Sequence, residues 1–383
     1  MKKIALIGGG ATNLFLASLL SKYSNDIEVD IIEIRDRVGK KILETGNGKC
    51  NFSNVNITKE DYNNEKFVEH IINKDIVNEF NKLGLLSYND NEGRCYPCSD
   101  SANSILDLLR FTYLSNKNFK EITNTQINEI KKEKNGYILK YNNTKKYYDY
   151  VVLAIGSKVN NNAYKLLNLD LKINKYSPSL CPIGTDVTTL KGIRVKCVAK
   201  LFDDNKLIYQ EKGEVIFKDN AISGISIFNI SFYINKYRLS NPLLSLDLFP
   251  HLEEEQLYSF LLNKVNKKTN DLFIGILNKM IGQYIIKRLN LKETLTNNDI
   301  KTIANTLKHL TFKINGLVDN PQVAKGGIDV SEINNNLELV KYSNIFIGGE
   351  MIDIDGKCGG YNLHFAFSSA LEIFNELKER LHV

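Results

Sequence analysis

The opening of the chain allows few folds. Lys3 to Ile7 is a short apolar run that ends on Gly8-Gly9-Gly10, and Leu16, Leu19, Leu20 and Tyr23 then recur at helical spacing. A second strand follows from Glu28 to Ile34. Strand, tight turn, helix and strand in that order form a βαβ unit of about the length a dinucleotide-binding fold requires.

Within GGGATN, Gly8 and Gly10 fill the first two glycine positions of GxGxxG. The first makes the tight turn, and the second lets backbone approach a pyrophosphate at the helix N-terminus. Asn13 stands at the third position, where its side chain is expected to loosen the close helix-to-strand contact that glycine would allow. Glu33 ends the second strand, 25 positions after Gly8, where an acid can accept hydrogen bonds from a ribose. An ordinary glycine turn between a strand and a helix would explain the motif alone. The ordered context of strand, turn, helix, strand and terminal acid favours dinucleotide binding.

A chain of 383 residues has room for two or three domains and a large core. Hydrophobic residues at 43% and charged residues at 25% fit an ordinary globular protein and argue against disorder or a membrane protein. The net charge of +6 is spread over 50 basic and 44 acidic residues without the Lys/Arg blocks of nucleic-acid arms, so no nucleic-acid partner is expected. No apolar run reaches the length of a membrane span, and MKKIALIGGG is too short and glycine-rich for a signal peptide, which points to a cytoplasmic protein without a membrane partner. Six cysteines in such a chain favour free thiols over a disulfide framework.

Residues 60 to 120 read as helical, broken at Gly84 and at GRCYPCSD, and the pattern from Ile122 to Ala154 is β, with VVLAIG as a strand buried on both faces. After Pro178 and Pro182 alternating runs such as KLIYQ and GEVIFK indicate an antiparallel β domain. Helical segments without strand signal follow from about Leu252 to Leu310. The last seventy residues return to strand (NIFIGG), glycine loop and helix, completing the first domain. The expected division is therefore 1–185 and 326–383 for a discontinuous nucleotide-binding domain, 186–250 with a return strand at 312–325 for the β domain, and 251–311 for a small helical domain.

No second strand-GxGxxG-helix unit occurs downstream, so one dinucleotide is held permanently or one diffuses. The glycine- and acid-rich stretch GGEMIDIDGKCGGYN, residues 348 to 362, returns to the first domain from the far end of the chain. A long ligand gripped at both halves favours FAD over NAD.

Seven segments carry a family resemblance: GGGATN; VGKKILETGNGKCNFSN; GRCYPCSD; YVVLAIGS; KGEVIFKDNAISG; VAKGGIDVSEI; and GGEMIDIDGKCGGYNLHFAFSSA. In these the chain resembles the aminoacetone-oxidase-like FAD-dependent oxidoreductases, a branch of the glutathione-reductase superfamily that also includes a flavoprotein associated with bile-acid dehydroxylation. The resemblance implies a glutathione-reductase-like Rossmann FAD domain of α/β class carrying the inserted β and helical domains. It implies that Glu33 binds the adenosine ribose, that Lys41, Thr45, Gly46, Gly48, Cys50 and Asn51 lie beside the flavin, and that Glu350 meets the ribityl or pyrophosphate side. Asp353 and Gly359, Gly360, Tyr361 and Asn362 would line the isoalloxazine. Ala11, Thr12, Ile34, Arg35, Ile127, Gly156 and Gly349 complete the expected cofactor-binding set. A helix beginning near Asn362 would point its positive end at the pyrimidine edge, where negative charge collects on reduction.

Other readings compete at several positions. DIDG could open a calcium loop, but Lys357 stands where the EF-hand spacing needs Asp or Asn; an acidic turn is the better alternative for Glu350 to Gly356. Cys95-Tyr96-Pro97-Cys98 has the spacing of a thioredoxin-type dithiol, without the strand-then-helix context. The five histidines show no metal-ligand spacing, and His364 is either packed or facing substrate. No catalytic acid or base is singled out.

The resemblance implies an enzyme in which a hydride from a small organic substrate, an amine among the candidates, or from diffusing NAD(P)H passes to flavin N5, with reoxidation by oxygen or another acceptor. A flavin-binding sensor without turnover is one alternative, kept open by Asn13, by Ile155 and Ser157 in place of Thr-Gly-Gly, and by Cys358 in place of Thr. An RNA-modifying flavoprotein is the other.

Overall fold

The computed structural model describes residues 1–23, 26–156, 169–265, 268–319 and 321–382; the departure noted at Ser157 lies outside them. The chain forms two compact units, 1–177 with 324–383, and 178–323.

The first unit is built on a five-stranded parallel sheet. Its elements are β1 (Lys2–Ile7), α1 (Ala11–Tyr23), β2 (Ile27–Ile32), α2 (Ala102–Leu114), β3 (Phe119–Ile122), β4 (Tyr150–Leu153), β5 (Ile345–Ile347) and α3 (Tyr361–Leu381). The strand order is β5-β4-β1-β2-β3. β1 and β4 are central, and Ile4, Leu6, Val151, Val152 and Leu153 have no exposed surface, as the unbroken apolar runs require. Ile7 pairs with both Leu153 and Ile32, so the carboxyl ends of the three strands stand level. The chain winds from β1 towards β3 and then returns to β1's other side as β4. A crevice therefore opens at the carboxyl ends of β1 and β4, the place where α/β sheets bind ligands.

Aromatic packing joins this sheet's helices. Phe15 of α1 lies 4.9 Å from Phe80 and 5.2 Å from Phe367 of α3, and Phe80 and Phe367 are themselves 4.9 Å apart, centroid to centroid. The C-terminal helix is thus fixed against the first helix of the chain. The unit also holds two small antiparallel sheets: a meander over Ile127–Tyr148, and a three-stranded sheet of Ser53–Asn54, Arg94–Pro97 and Ser87–Asn89. Helices Glu65–Val68, Ile76–Leu83 and α2 lie in the stretch read as helical, with its breaks at Gly84 and at Arg94–Pro97; the strand Ser87–Asn89 between those breaks departs from that expectation. Asp90 accepts hydrogen bonds from the Glu92 and Arg94 amides and closes a tight turn that folds the segment into a hairpin.

The second unit holds a seven-stranded antiparallel sheet whose strands run from Ile183 to Leu317. The helices Glu254–Leu262, Lys279–Arg288 and Asn297–Lys308 share one core with that sheet, Leu257, Ile300 and Ile303 packing in the same cluster as Leu244 and Leu246. A further helix, Ile225–Tyr237, belongs to this unit and was not read from its sequence. Among the described residues no helix is long and apolar enough to cross a membrane.

Asn13 behaves opposite to expectation. Its side chain is fully buried, and Nδ2 donates to the carbonyls of Ile7 (2.9 Å) and Gly8 (2.8 Å). The amide ties the first turn of α1 to the end of β1: it gives the Gly8 carbonyl a donor and adds a second one to the Ile7 carbonyl, which also accepts from the Ala154 amide (2.9 Å). Asn13→Ala should therefore destabilise the protein by about 1–3 kcal/mol, read from chemical denaturation, because the buried Gly8 carbonyl loses its side-chain donor and the Ile7 carbonyl loses one of two.

Candidate functional site

The glycine turn comes first. Gly8 has φ +98°, and a Cβ there would lie 2.5 Å from the Ala154 carbonyl oxygen, so a side chain is excluded by both conformation and space. Gly10 differs: its nearest neighbour would be the same oxygen at 3.9 Å, leaving room in front of the helix N-terminus. Glu33 Oε2 accepts from the Gly9 amide (2.7 Å) and Oε1 from the Arg35 amide (2.8 Å). These donors hold the carboxylate at the carboxyl end of β2. The Thr125 amide donates to the Glu33 carbonyl and that of Asn124 to the Arg35 carbonyl, bringing the approach to Ile127 beside Glu33; Ile127 itself is buried, and Ile34 is exposed.

The far end of the chain arrives at the same place. A Cβ on Gly349, which has φ +61°, would lie 2.5 Å from Thr12 Oγ1, and one on Gly348 would lie 2.6 Å from Thr12 Cγ2. The two glycines therefore cross the first turn of α1 directly against the Thr12 side chain. The Gly349 amide donates to Ser369 Oγ of α3 (2.9 Å), and Lys41 Nζ pairs with Glu350 Oε2 (2.5 Å). Lys41 Nζ also stands 3.7 Å from where a Cβ on Gly156 would be. Gly8, Gly10, Ala11, Thr12, Lys41, Gly156, Gly349 and Glu350 thus gather around one crevice.

A second group forms beside it. Gly46, Asn47, Gly48 and Cys50 all have positive φ, between 54° and 85° for the first three and 58° for Cys50, so the segment after Thr45 coils tightly. Its turn is closed by the Cys50 amide donating to the Thr45 carbonyl. Asn51 follows and is buried, and its Oδ1 has no hydrogen-bond partner. Gly360 packs against Asn51 and Ser53 so closely that a Cβ would collide with the Ser53 carbonyl. Asn54 Nδ2 donates to the Gly359 carbonyl (3.0 Å), and α3 begins at Tyr361.

Two residues expected to line the isoalloxazine have side chains that hydrogen-bond within the protein. Asp353 accepts from the Gly326 amide and from Asn174 Nδ2, both at 2.8 Å. Asn362 accepts from the Gly356 amide and donates to the Gly356 carbonyl, both at 2.9 Å, bracing its own loop. Ser53 and Asn54, which anchor the C-terminal glycines, were not singled out, although CNFSN stood in the family segment that contains Asn51.

The cysteines are free thiols. Cys95 is buried on the strand Arg94–Pro97, where burial pushes its thiol up to about 11, and Cys98 is exposed. A strand holding one sulfur inward and the other outward is not the helix-start setting that activates a thioredoxin dithiol. Burial likewise raises the Cys50 thiol to about 11. Among the described residues no group of His, Cys, Asp and Glu is placed to hold a metal ion.

His364 is packed. Ser53 Oγ donates to Nδ1 and Nε2 donates to the Ile72 carbonyl, both at 2.8 Å, which fixes one neutral tautomer. Burial lowers its pKa to about 4.

The fold and the crevice at its strand ends define a Rossmann-type α/β protein. Residues 2–373 match the family described as HI0933-like protein Rossmann domain. The chain belongs to this family of oxidoreductases. It is 27% identical to the 3-dehydro-bile acid delta(4,6)-reductase of Clostridium scindens, over 96% of this chain and 97% of that protein. It is 24% identical to the ribosomal RNA dihydrouridine synthase of Haemophilus influenzae, over 95% of this chain and 96% of that one. Among solved structures, a quinol-fumarate reductase with menaquinol molecules is similar in fold, with a TM-score of 0.50 and 12% identity over 100% of this chain and 72% of that one.

His364 gives this site a pH signature. The folded value of about 4 lies below the ordinary histidine value of 6.5, so the unfolded chain takes up a proton first. Its contribution is intact above pH 6.5 and is lost as pH falls towards 4. The slope of unfolding free energy against pH across that window should be shallower in His364→Gln than in the wild type, as checked by urea titrations at pH 4.5, 5.5 and 7.

Proposed function

We propose that the protein holds FAD and transfers a hydride through it, from reduced nicotinamide or a small organic donor to an acceptor bearing an activated double bond. The observation that carries this reading is the meeting of Gly349 and Thr12, with the Lys41–Glu350 pair beside it. Ends of the chain more than three hundred residues apart close on one crevice, as an extended dinucleotide needs and a short ligand does not.

The residues present fit such a group. Gly10 leaves space before the N-terminus of α1, where the pyrophosphate oxygens meet unpaired helix amides. Glu33 retains lone pairs for ribose hydroxyls. Glu350 accepts from the ribityl chain, with Lys41 balancing its charge. The unpartnered Asn51 Oδ1 is an acceptor suited to a ring N–H. The amides at the start of α3 favour negative charge at the pyrimidine edge. When bound, FAD supplies the two-electron chemistry; the chain supplies orientation, exclusion of water and a field that favours the reduced ring.

The names of the two relatives support the acceptor class. One is a reductase of double bonds in a 3-dehydro bile acid, and the other forms dihydrouridine in ribosomal RNA. Both names describe hydrogen added across a carbon–carbon double bond activated by a carbonyl. We therefore favour a small conjugated carbonyl compound as acceptor, with oxygen as a competing one. A uridine within RNA is the second reading, carried by the dihydrouridine synthase likeness, and the modest net charge of +6 speaks against it.

The purified protein should be yellow, or should take up one FAD with a rise in melting temperature. Anaerobic NADH, NADPH or an amine should bleach it, and a conjugated enone or, on the second reading, ribosomal RNA should restore the colour. A colourless protein indifferent to FAD contradicts the proposal, and a flavin that is bound but not reduced by any donor indicates a sensor. Glu33→Ala should weaken FAD binding by about tenfold or more, the loss of a charged hydrogen-bond acceptor, and leave the affinity for FMN, which lacks adenosine, unchanged.

A further inference from the structure

The loop 353–361 is held by a strap that no motif announced. Residues 58–63 run alongside it. The Asn63 amide donates to the Asp355 carbonyl (2.9 Å), the Lys357 amide donates to the Asp61 carbonyl (3.1 Å), and Tyr62, fully buried, donates from its hydroxyl to the Tyr361 carbonyl (2.9 Å). The Tyr62 ring also lies against Gly356, where a Cβ would come within 3.0 Å.

One ion pair sits inside this strap. Lys357 Nζ meets Asp61 Oδ1 at 2.6 Å, with the two side chains 18% and 9% exposed, and lies 5.3 Å from the centre of the Tyr361 ring. The other oxygen of Asp61 is fixed by the Thr58 amide (2.9 Å) and hydroxyl (3.1 Å). Of the loop's other acids, Asp353 faces Gly326 and Asn174, and Asp355 is fully buried beside the strap; Glu350, just before the loop, pairs with Lys41. Lys357 therefore places a shielded cation two residues before Gly359, held against the first residue of α3.

We infer that Asp61 and Lys357 are positioning residues that set the electron affinity of the flavin, Lys357 supplying positive charge near the end of the ring that gains negative charge and Asp61 limiting its strength. The inference rests on the proposed function, in that loop 353–362 lines the flavin. Charges this sheltered from solvent are weakly screened, so removing either one alters the field along the loop.

The two members act with opposite sign. Lys357→Met leaves Asp61 unbalanced and lowers the flavin midpoint potential. Asp61→Asn leaves Lys357 unbalanced and raises it. Each change should move the equilibrium ratio of oxidised to reduced flavin by roughly threefold to tenfold, measured against a reference dye under anaerobic conditions. The double variant should return near the wild-type value, and Lys357→Arg, which keeps the charge, should stay there. A merely structural pair predicts shifts of the same sign, or a changed melting temperature with an unchanged potential, in protein that still binds flavin stoichiometrically. Either result overturns the inference and leaves the proposed function standing. Wild-type protein that takes up no flavin overturns both.

Discussion

Everything at the site depends on a backbone contact that has no room for a side chain. Gly348 and Gly349 cross the first turn of α1 with Thr12 beneath them, so close that a Cβ on either would collide with the Thr12 side chain. The contact closes the sheet's C-terminal strand and helix onto its N-terminal turn. The Phe15–Phe80–Phe367 cluster fixes the same helices one turn further on, so the geometry rests on apolar packing as well as on two glycines. Site and core are built from the same pair of helices, which gives the crevice a rigid wall.

Much of this was legible because its signals are local and periodic. The run from Lys3 to Ile7, the helical spacing to Tyr23 and the acid at Glu33 each report their own neighbourhood, and the topology of a βαβ unit follows from handedness alone. The burial of VVLAIG followed from its lack of polar alternation. GGEMIDIDGKCGGYN announced an unusual backbone, and the family resemblance told where it would lie.

What escaped the sequence depends on partners far away. Asn13 read as a poor substitute for glycine because its value comes from two carbonyls that only the folded turn presents. His364 left two readings open until Ser53 and the Ile72 carbonyl were seen on either side of its ring. The helix Ile225–Tyr237, ISIFNISFYINKY, is rich in isoleucine and aromatics that favour strands, and packing overrides that preference. Asp353 and Asn362 were expected to line the ring; that their side chains brace the glycine-rich loop from within was not legible, because the partners are set only by the folded loop. Cys95 and Cys98 show the same limit from the other side: spacing is a local signal, and thiol reactivity is a property of the surroundings.

On the proposed function, one extended cofactor is clasped from both ends of the chain. Hydrogen–deuterium exchange with and without FAD tests it most directly. The prediction is simultaneous protection of residues 8–13 and 348–362 at a single FAD concentration. Protection of only one of those segments, or of neither while FAD remains bound, would contradict it.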